Sequence, residues 1–268
     1  MWKLVAAAAL ALAVPAAASA SGTITAPQVS SNWAGYAAVA PAGSTAEFRD
    51  VTGTWVVPKV TCTLGRADAV AFWVGLGGFS EGAQTVQQLG TESACSGRSR
   101  TPTYSVWWEI VPAASVPVRM KLLPGDTVTA AVLVDGQKVT MSLKNVTRKT
   151  RFSKTIVVSH ALDVTSAEWI AEAPAQCETN GRCRVVNLSK FGTVTFTKAT
   201  AIGNDHAGGI TDPAWEVTPL QLVTGGAVDR FFDSADVLGP GVGAAPAEPS
   251  ADGRSFSISW RQGITPAA

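Results

Sequence analysis

The sequence predicts an all-β fold built as one domain, and three observations lead there. Short runs rich in Val, Thr and aromatic residues recur along the chain, Gly, Pro and Asp-Gly punctuation separates them, and helical patterning is scarce. Many short strands divided by turn signals are the pattern of a β-sandwich or barrel.

The elements follow in chain order. Segment 48–57 carries Val51, Thr52, Thr54, Trp55 and Val56, and 69–75 is an unbroken apolar run ending at Gly75. Segment 86–92 reads as a strand whose alternation puts Val86, Gln88 and Glu92 on one face and Gln87 and Leu89 on the other. In 103–111, Trp107 and Glu109 share a face opposite Trp108 and Ile110. After the turn residues Pro124-Gly125-Asp126, segments 127–134 and 138–143 flank Asp135-Gly136, a two-residue hairpin signal. Further strands are expected over 154–158, 192–197 and 255–260. Segment 166–173 stays open between two readings. Its capping-box-like start suits a helical turn, while as a strand it places Glu168, Ile170 and Glu172 on one face. Segment 239–253 is rich in Gly, Pro and Ala and reads as a surface loop.

Composition narrows the function classes. The 268 residues hold 21 Lys and Arg against 20 Asp and Glu, too balanced for a surface that neutralises nucleic-acid phosphates. Nine Trp and 46% hydrophobic residues supply a large core and argue against extended disorder. Lys3, the apolar run from Leu4 to Val14 and the Ala18-Ser19-Ala20 site read as a secretory signal peptide over 1–20. The expected layout is that signal, a short extension over 21–31 and a β-sandwich domain over 32–268, secreted, free of the membrane after signal removal and monomeric. Export makes Cys62, Cys95, Cys177 and Cys183 disulfide candidates. Pairing Cys62 with Cys95 and Cys177 with Cys183 is favoured, because the second pair encloses only a short polar loop. Their spacing is not the paired CxxC of a zinc site, and no metal or cofactor is expected.

The common catalytic constellations do not fit. The chain has two histidines, His160 and His206, neither beside a GxSxG elbow, and no Asp-Thr-Gly pair, Walker loop or GxGxxG is present. Rare residue types cluster instead in four places: 31–36, 72–78, 86–92 with 104–112, and 167–172.

These segments resemble the glutamic peptidases, or eqolisins. Asn32-Trp33-Ala34-Gly35 matches their Asn-Trp-x-Gly start, and Trp73-Val74-Gly75 their Trp-Val-Gly. Gln88-Leu89-Gly90 matches the Gln-x-Gly context of the catalytic Gln, and Trp107 to Pro112 a Trp-Tyr-Glu-x-x-Pro segment with Trp108 for the Tyr. Glu172 closes an Ala-Glu-aromatic-Ile-x-Glu run. The resemblance spans about 31–260. It implies a secreted, acid-acting endopeptidase on an antiparallel β-sandwich of jelly-roll, concanavalin-like type with a concave substrate groove. It further implies Gln88 and Glu172 as catalytic residues, with Trp33 and Trp73 flanking the cleft. Glu92 and Glu109 are expected beside them as groove residues that hold the Gln or a water. Two positions depart from the family: Gly77 stands where an Asp usually follows Trp-Val-Gly, and Val111 stands where a Tyr is usual.

The residue chemistry agrees with those roles. A carboxylate can take a proton from water and later return it to a leaving amine, so Glu172 can act as base and then acid. A carboxamide cannot, but its NH2 can donate to an oxyanion, which assigns that part to Gln88 without a covalent intermediate. An ordinary Glu, with a pKa of about 4.3, would place the working range in acid. Two other classes remain open at this point: a carbohydrate hydrolase using Glu109 and Glu172 as a carboxyl pair, and a non-catalytic extracellular binding module.

Overall fold

The structure, a computed structural model, describes residues 22–80, 82–177, 183–224 and 241–264. The segment read as a signal peptide, 1–20, lies outside the described residues. The strands are β1 (Gln28–Ser30), β2 (Trp33–Val39), β3 (Phe48–Val56), β4 (Ala67–Leu76), β5 (Gln87–Ser96), β6 (Thr103–Ile110), β7 (Val116–Val118), β8 (Thr127–Asp135), β9 (Lys138–Asn145) and β10 (Thr150–Val157). They continue with β11 (Ser166–Glu172), β12 (Ala175–Cys177), β13 (Cys183–Val185), β14 (Asn187–Leu188), β15 (Thr193–Gly203), β16 (His206–Gly209), β17 (Glu216–Val223), β18 (Gly241–Pro246) and β19 (Ser255–Ile264). Among the described residues there is no helix.

The pairings resolve into two antiparallel sheets. The first runs β17-β2-β11-β4-β5-β6-β7, with β1 added in parallel on β17 and β14 in parallel on β4. The second runs β18-β19-β15-β3-β8-β9-β10, with β16 on β15. A short β17–β18 pairing links them along one side. The chain is therefore an all-β sandwich.

Period-two alternation decides what each sheet buries. Val70, Phe72, Val74 and Leu76 of β4, Leu89 of β5 and Trp169 of β11 join one core with Trp55 of β3, Val132 of β8, Met141 of β9 and Phe196 of β15. Fully burying each large side chain contributes roughly 1.5–3 kcal/mol. The indoles inside this core keep partners: Trp55 Nε1 donates to Thr91 Oγ1 at 3.0 Å, and Trp169 Nε1 donates to the Thr52 carbonyl at 2.8 Å.

The outer faces differ. β8 and β9 alternate buried and open positions, as expected where one face meets water. On that side the second sheet pairs hydroxyls across strands: Thr54 with Thr129 at 2.8 Å, Thr140 with Thr155 at 3.1 Å and Thr195 with Ser257 at 2.8 Å. β4 and β11 are buried along nearly their whole length, so the first sheet is covered on both faces at its centre.

Several sequence expectations change here. Segment 166–173 is a strand, because it sits between β2 and β4 and both neighbours take its backbone hydrogen bonds. Within 239–253, Gly241–Pro246 is β18, a strand paired to β19, where small residues and Pro were read as a loop. β17 was not anticipated, since Pro219 interrupts its apolar pattern, yet Pro219 lies opposite Tyr36 inside the sheet. Residues 28–30, placed in a short extension, form β1 against Leu220–Leu222.

Cys62 and Cys95 form a disulfide closing a separation of 33 residues. Cys177 and Cys183 lie opposite each other in the β12–β13 ribbon, and their side chains fall outside the described residues. Replacing both Cys62 and Cys95 by Ser is expected to lower the unfolding free energy by about 3–4 kcal/mol, from the chain entropy of a loop this long. Urea denaturation of that variant beside the wild-type chain measures it.

Candidate active site

The strands that feed the core with one face present the other to a groove. Register arranges that face in three rows crossing the first sheet. The first is Glu92, Ala71, Glu172 and Trp33; the second is Trp107, Gly90, Trp73, Ile170 and Gly35; the third is Glu109, Gln88, Gly75, Glu168 and Ala37. All six expected site residues, Gln88, Glu172, Trp33, Trp73, Glu92 and Glu109, thus lie on one face.

Trp73 joins the outer rows. Its Nε1 donates to Glu172 Oε2 at 2.7 Å, while a Cβ placed on Gly75 would sit 2.8 Å from the far side of the same ring. Glycine at 75 therefore leaves the floor free for the indole, which spans from the Glu172 row to the Gln88 row. Trp33 meets this ring edge-on, with centroids 4.8 Å apart. Ile170, Leu220, Val86 and Val111 complete an apolar lining, with Phe79 and Trp107 against it.

Glu172 is 9% exposed. Its Oε1 accepts from Asn32 Nδ2 at 3.1 Å and its Oε2 from Trp73. Burial pushes its pKa up to about 8, and the nearby Glu109 pushes the same way, while the Trp73, Trp33 and Asn32 donors pull it down. These N–H donors suit the ionised form, and burial with a like charge opposes it.

Gln88 is buried, and its Nε2 donates to Glu109 Oε2 at 2.7 Å. Its Oε1 is buried without a partner among the described residues. Burial raises the pKa of Glu109, against the pull of the Gln88 bond, and burial also raises Glu92. Glu168 is fully buried, and burial holds its carboxyl well above the usual carboxylate range, with Asp163 adding to the rise. Among the described residues, no ion pair reaches any of these four carboxyls.

Sequence reasoning missed two groups as site members. Asn32 stood inside the Asn-Trp-Ala-Gly motif, and a carboxamide one residue before a strand is the signal that could have found it. Glu168 was set aside for Glu172, although the two share a face. Glycine at 77 is also accounted for: it sits at φ 80°, and a Cβ there would lie 2.2 Å from the Asp163 carbonyl oxygen. The carboxylate at this turn comes instead from Asp163, whose Oδ2 accepts from Gly78 N at 2.8 Å and whose Oδ1 accepts from Thr165 N at 2.9 Å.

A β-sandwich groove that sets buried carboxyls beside a carboxamide and indole N–H donors has the make-up of a hydrolase that activates water through a carboxyl group. The Peptidase A4 family model matches residues 31–227; the chain belongs to this family, the glutamic peptidases or eqolisins, and is an endopeptidase of that type. The carbohydrate-hydrolase and binding-module alternatives are thereby set aside. Scytalido-glutamic peptidase, solved with a peptide-based transition state analog, shares the fold at TM-score 0.62 and 22% identity, over 86% of this chain and 98% of that one. SCP-B, an eqolisin solved with the tripeptide Ala-Ile-His, gives 0.61 and 22% over 86% and 98%. Aspergilloglutamic peptidase from Aspergillus niger gives 0.51 and 21% over 72% and 99%. The sequence has no match among curated proteins.

The folded state holds the Glu172 proton up to about 8, whereas an unfolded Glu loses it near 4.5. Between those values the folded chain binds more protons, so stability is greatest in acid and falls by a few kcal/mol as pH rises through that window. Melting curves across the window check this, and Glu172→Gln should flatten the slope. Restoring the family residue with Gly77→Asp should cost about 2 kcal/mol and lower Tm by about 4–8 °C, since it forces a side chain into a left-handed, occupied position.

Proposed function

We propose that the chain is a secreted peptidase in which Glu172 activates water, Gln88 stabilises the tetrahedral oxyanion, and no covalent intermediate forms. The observation that carries this is the buried Glu172 carboxyl, gripped by Trp73 and Asn32 on the same face as Gln88. The described polypeptide-like ligands of two relatives of the same fold support polypeptide as the substrate. The signal-like sequence of 1–20 and the Cys62–Cys95 disulfide support secretion. Trp107, half-buried against the apolar lining that holds Trp33 and Trp73, offers flat apolar surface to an extended peptide.

The steps use the groups in place. A water between peptide and Glu172 gives its proton to the carboxylate as its oxygen bonds to the scissile carbonyl carbon. A carboxylate whose pKa is raised is the stronger base, so burial makes that transfer easier than for an exposed Glu. Negative charge collects on the former carbonyl oxygen, where an NH2 of Gln88 donates. The C–N bond then breaks, Glu172 returns its proton to the departing amine, and the carboxylate is restored.

The pH range follows from the pair rather than from an ordinary Glu. Glu109 and Glu172 repel, so they titrate together, and the species with one charge is populated between two macroscopic values. Both are raised by burial, which moves the lower value above 4.5; the upper one is bounded by about 8. The form that works is the one whose single charge sits on Glu172, and the expected rate profile is bell-shaped with its maximum between those two values.

Purified mature chain assayed on a denatured protein from acid to alkaline pH is the test. Glu172→Gln should lose about 10²–10⁴-fold in kcat, and Gln88→Ala about 10²–10³-fold. Undiminished hydrolysis in either variant, or a maximum above about 8, would contradict the assignment.

A further inference from the structure

The hydroxyl of Ser30 sits where β1 turns into β2, and it grips the two residues whose side chains reach Glu172 from that side. Ser30 Oγ accepts from Trp33 N at 3.0 Å and from Asn32 N at 3.3 Å, the local turn a serine makes with the backbone just ahead of it. Its own proton faces Asn32 Oδ1 at 3.4 Å. That contact selects the orientation of the Asn32 amide: with Oδ1 toward the hydroxyl, Nδ2 is the end that meets Glu172 Oε1 at 3.1 Å. The opposite orientation would set an acceptor against a carboxylate. Trp33, the next residue, also supplies a side-chain donor to Glu172.

We propose that Ser30 is a positioning residue for Glu172: its hydroxyl fixes the backbone and the amide from which the Asn32 and Trp33 donors reach the carboxyl.

The surroundings hold Ser30 in this place. β1 lies parallel on β17 with Ser30 opposite Leu222. The chain before it is tied to the same strand, Thr25 N donating to the Val217 carbonyl and Val217 N to the Thr23 carbonyl, both at 2.9 Å. Asn32 is clamped from its other end, where its carbonyl accepts at 2.8 Å from the N–H of Ala173, the residue after Glu172. Asn32 is 1% exposed, so bulk water does not stand ready to replace the hydroxyl. The hydroxyl of Ser31 is buried without a partner among the described residues and takes no part in the turn.

The titratable groups on this face are Glu168 on the same strand as Glu172, with Asp163 acting on it, Glu92 on β5, Glu109 on β6 and Glu216 at the far end of β17. β4 brings Ala71 and Trp73, β2 brings Trp33, β17 brings Thr218 and Leu220, and β1 brings Gln28, Val29 and Ser30, none of which titrates. No cation is paired with Glu172 among the described residues, so N–H donors are what favours its ionised form.

The inference rests on the peptidase reading and is tested by kcat, KM and melting temperature as functions of pH. Loosening donors that favour the carboxylate makes Glu172 hold its proton to higher pH. In Ser30→Ala the acid limb of kcat on a denatured protein should move up by about half to one pH unit, with KM unchanged. At a fixed pH on that limb the loss is about threefold to tenfold. Ser30→Thr keeps the hydroxyl and should keep the wild-type limb; Ser31→Ala removes the neighbouring hydroxyl and should keep it too. Melting temperature gives an arm that needs no hydrolysis. The fall of stability with rising pH ends where folded Glu172 ionises, so in Ser30→Ala it should extend to higher pH by the same interval. In a Glu172→Gln background that effect of Ser30→Ala should vanish. A limb that stays in place in Ser30→Ala, one that moves equally in Ser30→Thr or Ser31→Ala, or a pH effect that persists in Glu172→Gln, overturns the inference and leaves the peptidase reading intact. Absence of hydrolysis by the wild-type chain at every pH, or full activity of Glu172→Gln, overturns the peptidase reading, while the melting arm still decides the role of Ser30.

Discussion

A carboxyl group withdrawn from water has to be given partners or give up its charge, and the groove is organised around that demand at Glu172. N–H donors brought in by the two strands beside β11 meet its two oxygens, among them Trp73 on β4 and Asn32 just before β2. Neither donor could arrive unless β11 lay between β2 and β4. The order of three strands is thus tied to the chemistry of one side chain. Trp73 shows the economy of the arrangement: a single indole holds the carboxyl, covers the floor at Gly75 and packs against Trp33.

Alternation divides the labour along each strand. On β4, Phe72 and Val74 point into the sandwich, and Trp73 between them points into the groove. A register shift of one residue would exchange the two sets and place an indole N–H and several acids in a dry core. The core therefore pins the site. Any packing that fixes Phe72 and Leu89 also fixes Trp73 and Gln88.

Much of this was legible in the sequence. Turn chemistry and strand composition gave the fold class, and the alternation of Gln88 with Leu89 and of Trp107 with Trp108 was read with the correct partners on each face. Which face would be the groove was not legible, because period two is symmetric and only tertiary packing breaks the tie. β17 was hidden by Pro219 and β18 by its small residues, since both depend on a neighbour rather than on their own propensity. Asn32 escaped because its partner lies 140 residues away. The ordinary value assumed for Glu172 failed for the same kind of reason: burial belongs to the fold, not to the residue type.

The paired hydroxyls of the second sheet carry a consequence for a molecule with so many acids in one cleft. Thr and Ser neither gain nor lose protons over any pH at which the chain is folded, so these cross-strand hydroxyl pairs stay the same in acid and in neutral solution. The cleft gathers carboxyls whose charge burial opposes, and a change of acidity can reset that working end while the hydroxyl pairs of the wall behind it stay as they are.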